Sequence, residues 1–162
     1  MTQTIHIPSD LGIISVTSSA LGICSVIIEN QIKNSSEAGP LLPILQDAVA
    51  QLREYLDGKR KVFEVTLDWT GIVGFQKDVL TITSSIPYGE VRTYGQIAQL
   101  LGKPAASRAT GGALARNPLL ILIPCHRVIS ASRELTGYAG GFSVKQRLLE
   151  LEGHTVVGQK LA

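Results

Sequence analysis

Apolar positions in the first 67 residues come in short β-branched runs. Residues 4–7, 12–17 and 23–29 are rich in Ile, Val and Thr, and turn formers (Pro8-Ser9-Asp10, then Ser18 to Gly22) lie between them. Three short strands are expected. A polar stretch over residues 34–40 reads as a loop. From Ile44 the period changes: Leu45, Ala48, Val49, Leu52 and Leu56 recur at intervals of 3, 1, 3 and 4, one face of a helix. Gly58, among Lys59, Arg60 and Lys61, fits its C-terminal stop and complements its dipole. Residues 62–67 then alternate, Phe63, Val65 and Leu67 against Glu64 and Thr66, which predicts one more half-buried strand. Residues 68–74, with Trp69, Gly71 and Gly74, form a connector and the best domain boundary, giving a scaffold over 1–70 and a second domain over 71–162.

Beyond the connector the helical period dominates. Phe75, Val79, Ile82 and Ile86 are spaced 4, 3 and 4, and Pro87-Tyr88-Gly89 ends that helix. Thr93 and Gln96 match a capping box that opens a helix from Tyr94 to about Leu101. Gly102-Lys103-Pro104 breaks it, a further helix follows over residues 105–116, and Asn117-Pro118 stops that one. Two short helices across a tight break are the layout of a helix-turn-helix. The second is unusual, with Gly111 and Gly112 in mid-helix at about 1 kcal/mol each relative to Ala. Ala105, Ala106, Ala109, Ala113 and Ala115 leave it little bulk, and Arg108 is its one long side chain at mid-length. Such a helix either packs tightly inside the core or lays its backbone against a nucleic-acid groove. After the glycine-rich residues 136–141, Ser143 and Gln146 form a second capping-box pair opening a helix through Val144, Leu148, Leu149 and Leu151. Glu152 at its end opposes the helix dipole. It is either solvated or paired, and His126 is the candidate partner.

The fold class is therefore α+β, a small antiparallel sheet with a helix followed by a mostly helical domain. At 162 residues, 44% hydrophobic and 17% charged, the composition is that of an ordinary globular protein. The net charge of +2 is unevenly spread. Residues 1–77 carry 6 Lys and Arg against 8 Asp and Glu, whereas residues 78–162 carry 9 against 5, six of the nine being Arg. An Arg-rich basic half suits a polyanionic partner. The amino terminus has no signal pattern, no apolar run reaches membrane-spanning length, and two distant cysteines suggest no disulfide framework; a reducing cytoplasm is expected, with no membrane association.

The chemistry concentrates in Leu119-Leu120-Ile121-Leu122-Ile123-Pro124-Cys125-His126-Arg127-Val128. A free thiol, with pKa about 8.5, is mostly protonated at neutral pH, and an adjacent imidazole or cation raises its thiolate fraction. A buried structural cysteine is the alternative, but the apolar run stops at Cys125 and gives way to His126-Arg127, which an inert core position does not need. Cys24 and His6 are the only soft metal ligands in the first 70 residues, too few for a tetrahedral site, so no metal is expected.

With Asn117-Pro118, Pro124-Cys125-His126-Arg127-Val128 and Tyr138-Ala139-Gly140-Gly141 in view, the chain resembles the O6-alkylguanine-DNA alkyltransferases, densely from about Gly74 to Gly153 and only in layout before residue 70. The resemblance implies a ribonuclease-H-like first domain and irreversible transfer of an alkyl group from guanine O6 (or thymine O4) in double-stranded DNA to Cys125. It implies a monomer, consumed after one turnover and using no cofactor. It further implies His126 as base through a water, oriented by Glu152, with Asn117 bracing the turn and Tyr94 donating to guanine N3. Tyr138 and the amide of Ala139 would hold O6, and the carbonyls of Cys125 and Val128 the exocyclic amine. Leu120 and Thr136 would flank the alkyl group. Arg108 would fill the space of the flipped base, with Gly111, Ala105, Ala106, Arg116 and Tyr94 against the minor groove. Ala139 stands where relatives have serine and Ala115 where they have arginine, with Arg116 beside it. Three rivals exist: a non-catalytic alkyltransferase-like reader, which Cys125 argues against; a thiol hydrolase or redox enzyme, which leaves the helix-turn-helix unexplained; and a DNA-binding regulator, which needs an additional cysteine-rich domain.

Overall fold

β1 (Gln3–Ser9), β2 (Gly12–Ser18) and β3 (Ile23–Glu29) form an antiparallel sheet in the order β1-β2-β3. The structure, a computed structural model, describes residues 2–32 and 39–162. Most of the loop expected over residues 34–40 lies outside them. The described chain divides into two units, Met1–Gly71 with Pro118–Leu120, and Ile72–Asn117 with Ile121–Ala162.

In the first unit, Gly12 closes the β1-β2 hairpin at φ 116. Its side-chain-free geometry is required, because a Cβ would sit 2.9 Å from the Glu29 carbonyl oxygen. A register shift between Thr17 and Ser18 places Val16 opposite Val26 and Ser18 opposite Ile23. Ile7, Ile14, Val16, Ile23 and Val26 are buried together with Leu45, Ala48, Val49, Leu52 and Tyr55 of α1 (Pro43–Leu56), the face read from the sequence except that Tyr55 is fully buried where Leu56 was expected and Leu56 is half-buried. α1 ends in a Schellman motif: Lys59 N donates to Glu54 O, Gly58 N donates to Tyr55 O, and Gly58 takes φ 74. The later segment Pro118–Leu120 belongs to this unit through β3, since Val26 N donates to Pro118 O and Leu120 N to Val26 O.

The strand expected over residues 62–67 does not form. Side-chain burial alternates as the pattern required, but only Leu67 pairs, in a single parallel bridge to Ile23. The backbone of Glu64 is taken by a side chain instead: Glu64 N donates to Gln51 Oε1 at 2.8 Å and Gln51 Nε2 donates to Glu64 O at 3.2 Å. A buried glutamine on α1 thus replaces a neighbouring strand.

In the second unit, α2 (Gly74–Ser84), α3 (Tyr94–Leu100) and α4 (Ser107–Ala115) pack on one another around Val79, Leu80, Ile97, Ala98, Ala113 and Leu114. The Thr93–Gln96 capping box is present in full. α2 stops at Ser84, short of Ile86. α4 begins at Ser107, so Ala105 lies outside it and Ala106 is its N-cap. A 3-10 turn (Cys125–Arg127) leads into β5 (Val128–Ile129), which pairs in parallel with β4 (Arg92–Thr93) and so sets Tyr94 beside the cysteine stretch. α5 (Phe142–Leu151) contributes Leu149 to a cluster with Ile129, Leu135 and Leu161, the last from the hairpin β6 (Val156–Val157) and β7 (Lys160–Leu161). The second capping box is a correction. Gly141, at φ 97, caps α5, and Gln146 Nε2 donates to Glu150 Oε1, so Ser143 lies inside the first turn. A left-handed residue needs glycine, and Gly141 supplies the helix start two residues early.

Candidate active site

Cys125 opens the 3-10 turn and is 4% exposed. The approach to it is strained: Ile121, a buried β-branched residue, sits at φ 71, a region such side chains rarely enter. Asn117, the residue that stops the helix-turn-helix, turns its amide onto this segment. Its Nδ2 donates to Ile123 O at 3.0 Å and to Cys125 Sγ at 3.1 Å. Burial pushes the thiol up to about 11, with the Asn117 hydrogen bond and the Lys145 charge acting the other way. The resting group is therefore a thiol, and the reaction has to remove its proton.

The base stands next in sequence. His126 is fully buried and its Nε2 lies 2.9 Å from Glu152 Oε1. Glu152 is itself buried, and burial pushes its carboxyl up, but hydrogen bonds from His126 and Arg127 and their charges outweigh this and hold it at about 2. An ionised carboxylate only accepts, so Nε2 carries the hydrogen and Nδ1 the lone pair. Burial is the first cause that lowers the His126 pKa, partly opposed by Glu152 and reinforced by the charges of Arg127 and Lys145. The imidazole is neutral at pH 7 and competent to take a proton.

Arg127 locks this pair. Its Nε donates to both Glu152 oxygens (3.1 and 2.9 Å), Nη2 to Oε1 at 2.7 Å, and Nη1 to the Ile86 carbonyl at 2.6 Å. Tyr88 stacks 5.7 Å from the guanidinium and donates its hydroxyl to Leu151 O. The expected partnership of Glu152 with His126 is present, and the solvated alternative is not.

On the other side of the cysteine, Tyr94 OH donates to Thr136 O at 2.9 Å. Burial raises the Tyr94 pKa, which keeps the hydroxyl protonated. The loop it touches carries Tyr138, whose ring lies over Gly140; a Cβ there would be 2.8 Å from Tyr138 Cε1. Ala139 is exposed on the same loop. Val128 is buried, with its carbonyl taken by Lys145 Nζ at 2.6 Å. Leu120 is buried in the first unit, on the segment that joins β3.

α4 is apart from this chemistry in character. Arg108, Ala105, Ala109 and Arg116 are exposed. A Cβ at Gly111 would meet only Tyr94 at 3.7 Å, and one at Gly112 only Arg116 at 3.7 Å, both ordinary contacts. Packing among the described residues therefore does not require either glycine. Among the described residues no three His, Cys, Asp or Glu side chains cluster where they could share a metal ion, and no helix is long and apolar enough to cross a membrane.

A profile described as 6-O-methylguanine DNA methyltransferase, DNA binding domain, matches residues 74–154, and one described as the ribonuclease-like domain of the same proteins matches residues 4–69. The chain belongs to the 6-O-methylguanine DNA methyltransferase family. Among similar relatives, the methylated-DNA–protein-cysteine methyltransferase of Methanosarcina acetivorans is 52% identical over 108 residues, 67% of this chain and 69% of the relative. That of Mycobacterium leprae is 50% identical over 111 residues, 68% and 67% of the two chains. The crystal structure of Mycobacterium tuberculosis O6-methylguanine methyltransferase superposes with TM-score 0.81 at 38% identity, covering 94% of this chain and 93% of that one. A Mycobacterium tuberculosis OGT in complex with DNA gives 0.79 at 40% identity, covering 93% and 92%.

In this methyltransferase-family chain, two site features were not read from the sequence. The pairing of Arg127 with Glu152 spans 25 residues and left no local signal. Lys145 did leave one: it stands three, four and seven residues before Leu148, Leu149 and Glu152, on the stripe of α5 that is buried.

Proposed function

We infer that this protein repairs alkylated DNA by direct reversal, moving the alkyl group from guanine O6 in double-stranded DNA to Cys125, once per chain. The observation that carries the reading is a buried thiol held by Asn117 beside a neutral histidine locked by an ionised Glu152–Arg127 pair, within the family named above. His126 Nδ1 takes the thiol proton through a bridging water. The thiolate attacks the alkyl carbon, the S–C bond forms as the C–O6 bond breaks, and the electron pair passes into the guanine ring. That ring is a poor leaving group as an anion, so Tyr94 OH turns from Thr136 to donate to N3. Tyr138 and the Ala139 amide receive O6, Val128 and Cys125 carbonyls the amine, and Thr136 borders the alkyl group. No step regenerates the thiol from a thioether, so the chain is consumed.

The target atom is hidden in a stacked duplex and the base must leave the stack, at a cost of a few kcal/mol. The exposed Arg108 fills the gap, while Gly111, Ala105, Ala106 and Arg116 bring α4 close to the minor groove through backbone contacts that are indifferent to sequence. The reading further assigns residues 1–70 to a scaffold and 71–162 to catalysis, a monomer as the working form, and the cytoplasm as its compartment. The test is a titration of duplex DNA carrying O6-methylguanine with Arg108→Ala and the unsubstituted protein. Repair stops at one base per chain, and Arg108→Ala slows repair of the duplex more than reaction with the free modified base. Repeated turnover contradicts the mechanism, and equal slowing on both substrates contradicts the role of Arg108.

A further inference from the structure

Lys145 is the one lysine among the described residues that is buried, at 1% exposure, and it lies on the core-facing stripe of α5, where an aliphatic residue would pack at no electrostatic cost. Its Nζ donates to Val128 O at 2.6 Å and to Thr136 O at 2.9 Å, and lies 5.9 Å from the centre of the Tyr94 ring. The Thr136 carbonyl therefore accepts twice, from Lys145 and from the Tyr94 hydroxyl at 2.9 Å. Two donors on one oxygen weaken each other's hold, and the ammonium is the stronger donor.

The reaction asks two things of these groups. Tyr94 OH has to leave Thr136 for the guanine ring, and the loop that begins at Thr136 has to stay in place while it does so. The Val128 carbonyl has to point at the exocyclic amine with one lone pair open. We propose that Lys145 is a positioning residue that keeps the Val128 and Thr136 carbonyls anchored, so that the Tyr94 hydroxyl can pass to the base without untying the loop. Without Lys145 the tyrosine is the loop's tether at Thr136 and the proton donor to the base, and it cannot be both at once. The proposal rests on the reading of Tyr94 as the donor to guanine.

The test is a double-mutant cycle in single-turnover transfer from O6-methylguanine duplex at saturating protein, with Tyr94→Phe, Lys145→Met and the pair, alongside duplex binding and melting. Removing a preorganised donor costs about a hundred- to a thousandfold in rate, so Tyr94→Phe is expected to slow transfer by about a hundredfold or more. Lys145→Met slows it comparably with duplex binding unchanged, and the pair is no slower than about threefold below Tyr94→Phe alone. Losses that multiply across the pair, or Lys145→Met transferring at the unsubstituted rate, overturn the proposal while leaving Tyr94 as donor. Tyr94→Phe transferring at the unsubstituted rate removes the donor reading itself, and the proposal falls with it. Should Lys145→Met not fold, Lys145→Leu, which likewise cannot donate to either carbonyl, carries the same cycle with the same two outcomes.

Discussion

Arg127→Met tests the electrostatics of the site. The substitution keeps most of the side-chain volume and removes a guanidinium that makes three contacts to Glu152 and one to the Ile86 carbonyl. Breaking one side of a buried ion pair costs about 3–5 kcal/mol, because the remaining charge has no compensation. Here the loss depends on pH, since Glu152 keeps His126 as its neighbour and the arginine charge is one of the causes that hold the imidazole pKa down. In the unsubstituted protein the folded His126 pKa lies below the unfolded value of about 6.5, so acid below that pH favours the unfolded chain. In the variant one of the causes that lower the folded pKa is gone while burial remains, so the folded pKa moves back toward the unfolded value and the variant loses less stability on acidification than the unsubstituted protein does. The gap between the two proteins therefore narrows from pH 8 to pH 5, by about 1.4 kcal/mol for each pH unit over which their native His126 differ in protonation. Urea denaturation across that range measures it, and the variant's transfer rate fails on the acid side at higher pH because a protonated His126 is no base. A gap that stays constant or widens toward pH 5 refutes the reasoning.

Three further outcomes are expected. Gly111→Ala and Gly112→Ala each raise helix stability, by up to about 1 kcal/mol, and weaken duplex binding; calorimetric melting and a binding titration check both, and unchanged binding means that this face of α4 does not approach DNA. Asn117→Ala removes the donors to Cys125 Sγ and Ile123 O, so the thiol pKa rises further, transfer at pH 7 slows about tenfold or more for the lost oriented donor, and stability falls by about 1 kcal/mol; thiol titration, single-turnover rates and melting read the three effects. Chelator leaves melting and repair unchanged, since Cys24 donates to the Thr17 carbonyl and His6 is bonded to Ser15; one equivalent of zinc by elemental analysis, lost together with stability, contradicts this.

What could be read from the sequence was local. The Thr93–Gln96 box, the α1 face with its Gly58 stop, and the first three strands depend on neighbours within a few residues, and each formed. The same box signature at Ser143 and Gln146 failed because Gly141, free to take positive φ, starts the helix earlier. Residues 62–67 alternate as a strand should, yet strand pairing is a long-range property, and Gln51 reached Glu64 first. In the site, Cys125-His126 and the misplaced charge of Glu152 were visible because each breaks a local rule. Arg127 and Lys145 break none: a basic residue after histidine or within a helix is unremarkable until burial shows that the charge has to be held by the fold.

The central claim is that Cys125 takes the alkyl group and keeps it. Incubation with duplex DNA carrying one O6-methylguanine, followed by intact mass measurement and peptide mapping, addresses it directly. The account predicts one added methyl per chain, located on Cys125, absent in Cys125→Ala and stable to prolonged incubation. A methyl mapped to Cys24, or a damaged base repaired with the protein mass unchanged, contradicts it.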